Sequence, residues 1–370
     1  MKILITGARG FIGKNLVAAL MENSSHELYL ADMETTEEEL SAFASDCDFV
    51  FHLAGVNRPE NPDEFMAGNY GFTTLLLTHL KNQGNKAPVL MTSSIQALLD
   101  NPYGKSKLAG EEYLISYGNA EGVPVYVFRL ANVFGKWSRP DYNSVVATFC
   151  HRIPRNLPIE IHDPGAQLTL IHIDDLIEVF LDALNNPPKK ANDGRCYVHR
   201  IHRITVGELA EKLMTFHKSR EDFHCPYVGD ELDHKLYSTY LSFLPEEDFS
   251  YPLLSHQDAR GSFTEFLKTR EFGQMSVNVS RPGITKGNHW HHTKVEKFLV
   301  VAGTGIIRFR KIGQEAILEY PVSGEALTVV DIPPGYTHHI VNTGDTDLVT
   351  LMWASELFNP DKPDTYFLEV

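Results

Sequence analysis

Cysteine is scarce in this 370-residue chain: Cys47, Cys150, Cys196 and Cys225 lie far apart, and no two are spaced Cys-x-x-Cys. That excludes a disulfide scaffold and a zinc ribbon, and it suits free, buried thiols in a reducing compartment. Positive charge is short as well. With 33 Lys and Arg against 48 Asp and Glu, the net charge is −15, the wrong sign for a nucleic-acid binder, whose footprint is a basic patch. No apolar run is long enough to span a bilayer, and the opening run of residues 1–7 halts at a glycine, too short for a signal peptide. Internal repeats and low-complexity segments are missing. What remains is a chain 43% hydrophobic and 22% charged, globular in composition and too long for one typical core. These bounds describe a soluble, cytoplasmic protein of two domains, with no nucleic-acid or membrane partner.

Residues 2–6 read as a buried strand, followed by Gly7, Gly10 and Gly13 and a helical run from Lys14 to Met21. Strand, glycine loop and helix form the context of a dinucleotide fingerprint, here spaced Gly-x-x-Gly-x-x-Gly. Gly7 permits the tight turn, Gly10 lets backbone approach a pyrophosphate, and Gly13 lets the helix pack on the strand. Phe11 and Ile12 open that helix, whose free N–H groups face the phosphates. Arg9 suits a 2′-phosphate on the adenosine ribose. Asp32, after a strand at 27–31, suits a free 2′-hydroxyl or caps a helix over 35–44. The balance favours NADPH, with NADH as the other reading.

The next strand ends in Leu53, Ala54 and Gly55, small residues against which a cofactor can lie. Asn69 either caps a helix or serves the site. A strand at 88–92 leads into Ser93 and Ser94, and nine residues on comes Tyr103, one helical turn before Lys107. An ammonium there lowers a phenol's pKa from its ordinary ~10 by favouring the phenolate, which gives a proton donor or acceptor at neutral pH. With the Ser94 hydroxyl beside it, the phenol can polarise a carbonyl.

Thr6 with the glycine loop, His52 to Gly55, Ser93 with Ser94, Tyr103 with Lys107, Arg129 to Gly135 and Ile171 to Asp175 occur in one order. That order resembles the extended short-chain dehydrogenase/reductases, which act on nucleotide-activated sugars. The resemblance spans about residues 1–240. It implies that Ser94, Tyr103 and Lys107 are the catalytic trio: the serine binds the sugar C4 oxygen, the tyrosine passes the proton, and the lysine holds the nicotinamide ribose. Arg129 and Asn132 belong, by the same resemblance, to the nucleotide-sugar side. The chain departs at Leu98, where the family has an aromatic. It departs again at Ile95 and Gln96, where the 4,6-dehydratases carry an Asp-Glu pair. Neither side chain is an acid or base, so 4,6-dehydration is disfavoured. The short segment from Asp32 to Asp48 resembles that of reductases that finish deoxysugars.

A Pro- and polar-rich loop at 185–194 precedes a strand at 195–199 and an amphipathic helix from Val206 to His217, with Thr205 and Glu208 placed as a capping box. Together they complete a substrate-covering lobe. His199, His202, His217 and His224 lack ligand spacing and read as loop or surface residues. A boundary near 244–248 gives domains of 1–243 and 244–370. Beyond it, period-2 strands replace helices, at 274–279, 297–301, 305–310, 326–330 and 347–353, the texture of a β-sandwich or barrel. His289 and His291, two apart on a strand, project from one face. Glu296 returns past a turn, and His338 arrives in a second block between Pro333 and Asn342. Three imidazoles and a carboxylate suit Zn²⁺, Fe²⁺ or Mn²⁺, with positions left for water or substrate.

These two blocks resemble the cupin family, with the glycine before the second block displaced to Gly324. The expected architecture is an α/β Rossmann-type doubly wound parallel sheet with a small substrate lobe, then an all-β cupin jelly-roll barrel. Asp258, Arg260, Gly261, Phe263 and Glu265, with Lys286 to His289, resemble the deoxysugar 3,5-epimerases, a cupin branch that inverts carbons beside a C4 ketone. Those epimerases generally use a histidine and a tyrosine without metal. The base stays open here among His292, Lys294, Tyr336 and His339.

Both halves point to a 4-keto sugar, because a C4 ketone acidifies the C3 and C5 protons through an enolate that a metal can stabilise. The fusion resembles bifunctional enzymes of capsule and O-antigen synthesis that make UDP-2-acetamido-2,6-dideoxy-L-talose, on the route to N-acetyl-L-fucosamine. It implies C3 epimerisation of a UDP-4-keto-6-deoxy-N-acetylhexosamine at a Zn²⁺ cupin, then NADPH-dependent C4 reduction, in a homodimer. Two other readings stay open: a reductase with a structural or dimerising cupin, and a redox-neutral C4 epimerase with bound NAD⁺.

Overall fold

The computed structural model describes residues 1–22 and 25–370. They form two compact units, Met1–Met214 with Gly229–Pro245, and Thr215–Val228 with Glu246–Val370.

In the first unit, strand β1 (Lys2–Thr6) is apolar on both faces. Ile3 and Ile5 enter one core with Leu16, Phe51, Phe128 and Phe180, while Leu4 enters another with Val50, Leu76, Leu80 and Val127. Such a strand needs cover on both sides, which a parallel sheet wrapped by helices supplies. The sheet runs β2 (Glu27–Ala31), β1, β3 (Phe49–His52), β4 (Val89–Ser94), β5 (Val125–Leu130), each neighbouring pair parallel. Strand order reverses between β1 and β3, so the crevice at their ends, Thr6 and His52, is where such sheets bind ligands. The segment after Asp32 has room only for helix α2 (Glu37–Asp46), which leaves β2 at the edge.

Helix α1 (Phe11–Met21) follows the glycine loop. A single turn α3 (Asp63–Phe65) passes through a π-helical turn, Met66–Gly71, into α4 (Phe72–Asn82). Helix α5 (Pro102–Glu121) carries Tyr103 and Lys107. The Asn101 side chain accepts the Gly104 N–H at 2.7 Å, Pro102 pre-sets the first turn, and Gly122 stops the helix at φ 67°. A smaller sheet of β6 (Asn132–Phe134), β7 (Gln167–His172) and β8 (His202–Thr205) sits with α6 (Val145–Arg152) and α7 (Ile173–Asp182). Thr205 and Glu208 make the expected capping box, at 2.8 and 3.1 Å, and open α8 (Val206–Asp222); α9 (Glu231–Leu241) follows.

Three local expectations differ, the first being the strand placed at 326–330, which begins only at Val329. Residues 195–199 pair with β5 only at Cys196, opposite Phe128, so no strand forms there. Helix α8 outruns His217, and the chain after it joins the second unit: the Lys268 N–H donates to Phe223 O at 2.9 Å, and the Cys225 N–H donates back to Lys268 O at 2.7 Å.

The second unit is antiparallel throughout its two sheets. One runs β16 (Val329–Ile332), β13 (Glu296–Ala302), β18 (Leu348–Ala354), β11 (Gly273–Ser280), β10 (Gly261–Thr269), β9 (Ser255–Asp258). The other runs β15 (Ile317–Ser323), β14 (Thr304–Lys311), β17 (Tyr336–Asn342), β12 (Thr285–Trp290), β19 (Tyr366–Phe367). Alternate residues from both close one core around Phe298, Val300, Ile307, Phe309, Ile340 and Leu348, the packing of a jelly roll. The four thiols are free, three buried and Cys225 half-buried. Among the described residues no helix is long and apolar enough to cross a membrane.

Candidate active sites

The glycine loop is shaped by close backbone approach. Gly7 sits at φ 69°, and a Cβ there would lie 2.8 Å from the Ala54 nitrogen; one on Gly13 would lie 2.2 Å from the Gly7 carbonyl oxygen. No side chain fits that space. Gly10 is the N-cap of α1 without a side-chain bond, which leaves first-turn N–H groups at Phe11 and Ile12 for an anion. Asp32 accepts the N–H groups of Arg9 (2.7 Å) and Met33 (2.9 Å), one on each carboxylate oxygen. The Arg9 guanidinium meets Glu34 at 2.6 Å in an exposed pair, a kind that contributes little in water. Leu53 and Ala54 are half-buried and Gly55 exposed at the end of β3. A cradle that any Cβ would fill, beside a bare helix N-terminus, fits a nicotinamide dinucleotide.

Gly55 also leaves room for Lys107. A Cβ on Gly55 would lie 2.7 Å from Lys107 Nζ and 2.9 Å from Asn69 Oδ1. Burial brings the Lys107 ammonium down to about 8, with Glu111 opposing. Ser94 stands near enough to the Tyr103 phenol to favour its charged form. The phenol's pKa is nevertheless raised: burial dominates, Ser94 pulls it down, and Tyr142 pushes it up. The lowering expected from Lys107 is absent, because one-turn spacing fixes a shared face but not where side chains point. Tyr103 packs edge-on to Phe65, ring centroids 5.6 Å apart, whereas Nζ turns toward Gly55 and Asn69.

Asn69 is no helix cap. It is 2% exposed in the π-helical turn, a feature frequent at functional sites. Its Oδ1 accepts the Val56 N–H at 2.9 Å, and its Nδ2 donates to Val56 O (3.1 Å) and Ser106 Oγ (2.9 Å). The Thr73 hydroxyl donates to Asn69 O at 2.6 Å, so it accepts from His52 Nε2 at 2.8 Å. His52 Nδ1 then accepts from Thr6 at 2.8 Å, a neutral tautomer assigned by the network, and burial pushes its pKa down to about 3. This chain ties the strand under the glycine loop to Asn69.

Arg129 is 6% exposed and committed to Glu111, Nε at 2.9 Å and Nη2 at 2.7 Å. Glu111 also accepts from the Ser93 hydroxyl (2.6 Å) and Arg195 (3.0 Å). Burial thus gives Arg129 the task of fastening β5 to α5. Asn132 is exposed at the start of β6, its Nδ2 3.4 Å from Thr169 O. A cavity of about 500 Å³ in this unit is lined by Arg58, Tyr142, Arg152 and His162, with Tyr142 the phenol felt by Tyr103.

In the second unit, the ligand atoms of His289, His291, Glu296 and His338 lie within 4.8 Å of one another. Glu296 Oε2 is 3.2 Å from His291 Nε2 and 3.4 Å from His338 Nε2. Burial works to raise the Glu296 carboxyl, but the two histidines outweigh it and hold it well below the usual range. Burial pushes His289 down to about 4. His338 is 1% exposed, and both its ring nitrogens are without a hydrogen bond. Orphaned buried nitrogens facing a carboxylate fit a divalent cation bound by three imidazoles and one carboxylate. The cluster forms part of a cavity of about 580 Å³, lined also by Lys286, Lys294, Arg260 and Glu265. Of the four candidate bases only Lys294 lines it, with Nζ donating to Pro363 O (3.0 Å) and Thr365 Oγ1 (2.8 Å). Lys286, passed over as a candidate, lines it too, with Nζ held by Asn278 and Val279 O at 2.8 Å each. Its signal was the Lys286-to-His289 motif itself.

Residues 3–198 match the model of the NAD dependent epimerase/dehydratase family, and residues 256–366 match the polysaccharide biosynthesis C-terminal domain. A UDP-2-acetamido-2,6-beta-L-arabino-hexul-4-ose reductase from Pseudomonas aeruginosa is 48% identical over 370 residues, 100% of this chain and 99% of its own. A crystal structure of the capsular polysaccharide assembling protein CapF from Staphylococcus aureus aligns with TM-score 0.94 and 52% identity, covering 100% of both chains. A UDP-glucuronic acid 4-epimerase from Bacillus cereus, 19% identical with TM-score 0.55 over 66% of this chain and 99% of its own, shares the fold alone.

Proposed function

The chain belongs to the NAD dependent epimerase/dehydratase family, with a polysaccharide biosynthesis C-terminal domain behind it, and on that footing we propose a two-site enzyme acting on a UDP-4-keto-6-deoxy-N-acetylhexosamine. The coarse activity, oxidoreduction of a nucleotide sugar for surface polysaccharide, follows from the family and its relatives.

Residues 1–243 reduce C4. Bound NADPH supplies the hydride. Ser94 holds the C4 oxygen, Tyr103 passes it a proton, and Lys107 holds the nicotinamide ribose. A phenol raised by burial stays protonated at neutral pH, the state a donor needs. NADPH is preferred over NADH because Asp32 is already occupied by two backbone donors, while the exposed Arg9 guanidinium is free to turn from Glu34 to a 2′-phosphate. Residues 244–370 invert C3 first. A divalent metal, Zn²⁺ foremost, held by His289, His291, Glu296 and His338 supplies the Lewis acidity that stabilises enolate charge. Lys294, the candidate that lines the cavity, takes the C3 proton in its amine form, and water returns a proton to the opposite face of the enolate. A homodimer and a cytoplasmic setting belong to the same reading.

The observation that carries it is four donors, two buried and two half-buried, within 4.8 Å of one another beside a cavity, on a chain that also brings Ser94 near Tyr103. The test follows loss of NADPH absorbance with the 4-keto sugar, for wild type, Tyr103→Phe and His289→Ala, with products resolved by NMR. Tyr103→Phe is expected to stop NADPH oxidation, and His289→Ala to give reduced but unepimerised sugar. A wild type that consumes no NADPH would overturn the reductase half in favour of the redox-neutral epimerase. An unchanged product from His289→Ala would make the cupin structural.

A further inference from the structure

Segment 363–368 is bonded to the ligand strand at successive points. β19 pairs with β12 so that Phe367 stands opposite His289 and Tyr366 opposite Trp290. The Leu368 N–H donates to Asn288 O at 3.0 Å, next to the bulge between Gly287 and His289 that aims the first ligand. Asp364 makes the densest contacts. Its backbone carbonyl accepts from His291 Nδ1 at 2.6 Å. Its carboxylate accepts the N–H groups of His292 (3.0 Å), Thr293 (2.9 Å) and Lys294 (2.9 Å) and the Thr293 hydroxyl (3.2 Å). It does so at φ 39°, in the left-handed region that side chains other than glycine rarely occupy.

We propose that Asp364 is a positioning residue of the metal centre, its carboxylate clamping the 292–294 turn so that its own carbonyl holds the His291 ring. A carbonyl can only accept, so Nδ1 carries a proton, which leaves Nε2, on the side of Glu296 and the other ligands, as the nitrogen able to ligate. Ligating histidines are fixed in tautomer and angle by such a bond on the far nitrogen. The strap also brings Pro363 O and Thr365 Oγ1 to Lys294, so one segment sets a ligand and a cavity lysine together. This inference rests on the metal reading above and on no catalytic step.

The test titrates the full-length protein with Co²⁺, read by the visible spectrum of the bound ion, and with Zn²⁺ against a competing chelator. Asp364→Ala is expected to weaken metal binding by roughly 10–100-fold and to change the Co²⁺ spectrum, while keeping a cooperative unfolding transition. Asp364→Asn, which keeps one acceptor oxygen, is expected to fall between it and wild type. Asp361→Ala, an exposed neighbour whose side chain touches no ligand, is expected to match wild type. Wild-type affinity and spectrum in Asp364→Ala would overturn the proposal, as would an equal loss in Asp361→Ala. A wild type that takes up neither ion would remove the metal reading itself, an outcome distinct from those two.

Discussion

Replacing Gly55 by alanine tests whether the position of Lys107 matters to turnover. The added methyl would lie 2.7 Å from Nζ, where ordinary contact begins at 3.4 Å, so the ammonium must retreat by about 0.7 Å. Asn69, 2.9 Å from the same methyl, cannot yield in its place, because three hydrogen bonds to Val56 and Ser106 fix its amide. Overpacking of this kind costs about 1–3 kcal/mol of stability. Rate is more sensitive than stability, since a misplacement near 1 Å at a reacting group costs about 100-fold. Gly55→Ala is therefore expected to lower kcat for NADPH oxidation by roughly 10–100-fold while unfolding remains cooperative. Steady-state NADPH oxidation and a urea unfolding curve on the same preparation separate the two effects. Unchanged kcat, or a loss of activity no larger than the loss of folded protein, would refute the reasoning.

Lys107 titrates at about 8 when folded and at 10.5 as a free side chain, so turnover is expected to fall as pH rises through 8. Between those values the unfolded chain binds the extra proton, and the Lys107 contribution to stability rises with pH, by up to about 3 kcal/mol; Lys107→Met should flatten both profiles. Glu111→Ala strips the buried Arg129 of its two-point partner, leaving only Asp193 at 3.6 Å, and is expected to cost about 3 kcal/mol in urea unfolding, against under 1 kcal/mol for Glu34→Ala in its exposed pair. An equal cost for both would refute that ranking. Arg9→Ala is expected to raise KM for NADPH about tenfold, the loss of one charge-assisted bond, and to leave KM for NADH unchanged. Parallel changes with both cofactors would end the 2′-phosphate assignment.

Legibility in the sequence followed distance along the chain. The glycine loop needs seven consecutive residues, and His289 with His291 needs only the two-residue period of a strand, so both were readable and their geometry is as expected. Asn69, Glu111 and Asp364 were not, because what each does depends on partners far off in sequence: Ser106 for Asn69, Arg195 for Glu111, His291 for Asp364. β15 escaped for another reason. Its first five residues are exposed on both faces, so it lacks the alternation by which strands are recognised. The spacing of Tyr103 and Lys107 was right, yet the charge effect inferred from it was not, since direction depends on side-chain orientation that spacing leaves open.

That last difference bears on how the first site is built. Lys107 is held in a place where burial disfavours its charge, and Glu111 is the neighbour that supports it. Glu111 is in turn shared among Ser93, Arg129 and Arg195, so little of its charge is left for the ammonium. A buried cation under-supported by protein favours oxygen ligands from outside, and the hydroxyls of a ribose are such ligands. Tyr103, meanwhile, is kept protonated by its own burial and opposed by Ser94 rather than governed by the lysine. The two residues on one helical face therefore meet different partners: the lysine a cofactor sugar, the tyrosine the oxygen being reduced. Such a division predicts that losing Lys107 weakens cofactor binding as well as lowering kcat, whereas losing the phenol lowers kcat alone. A Lys107→Met variant with unchanged cofactor KM would contradict it.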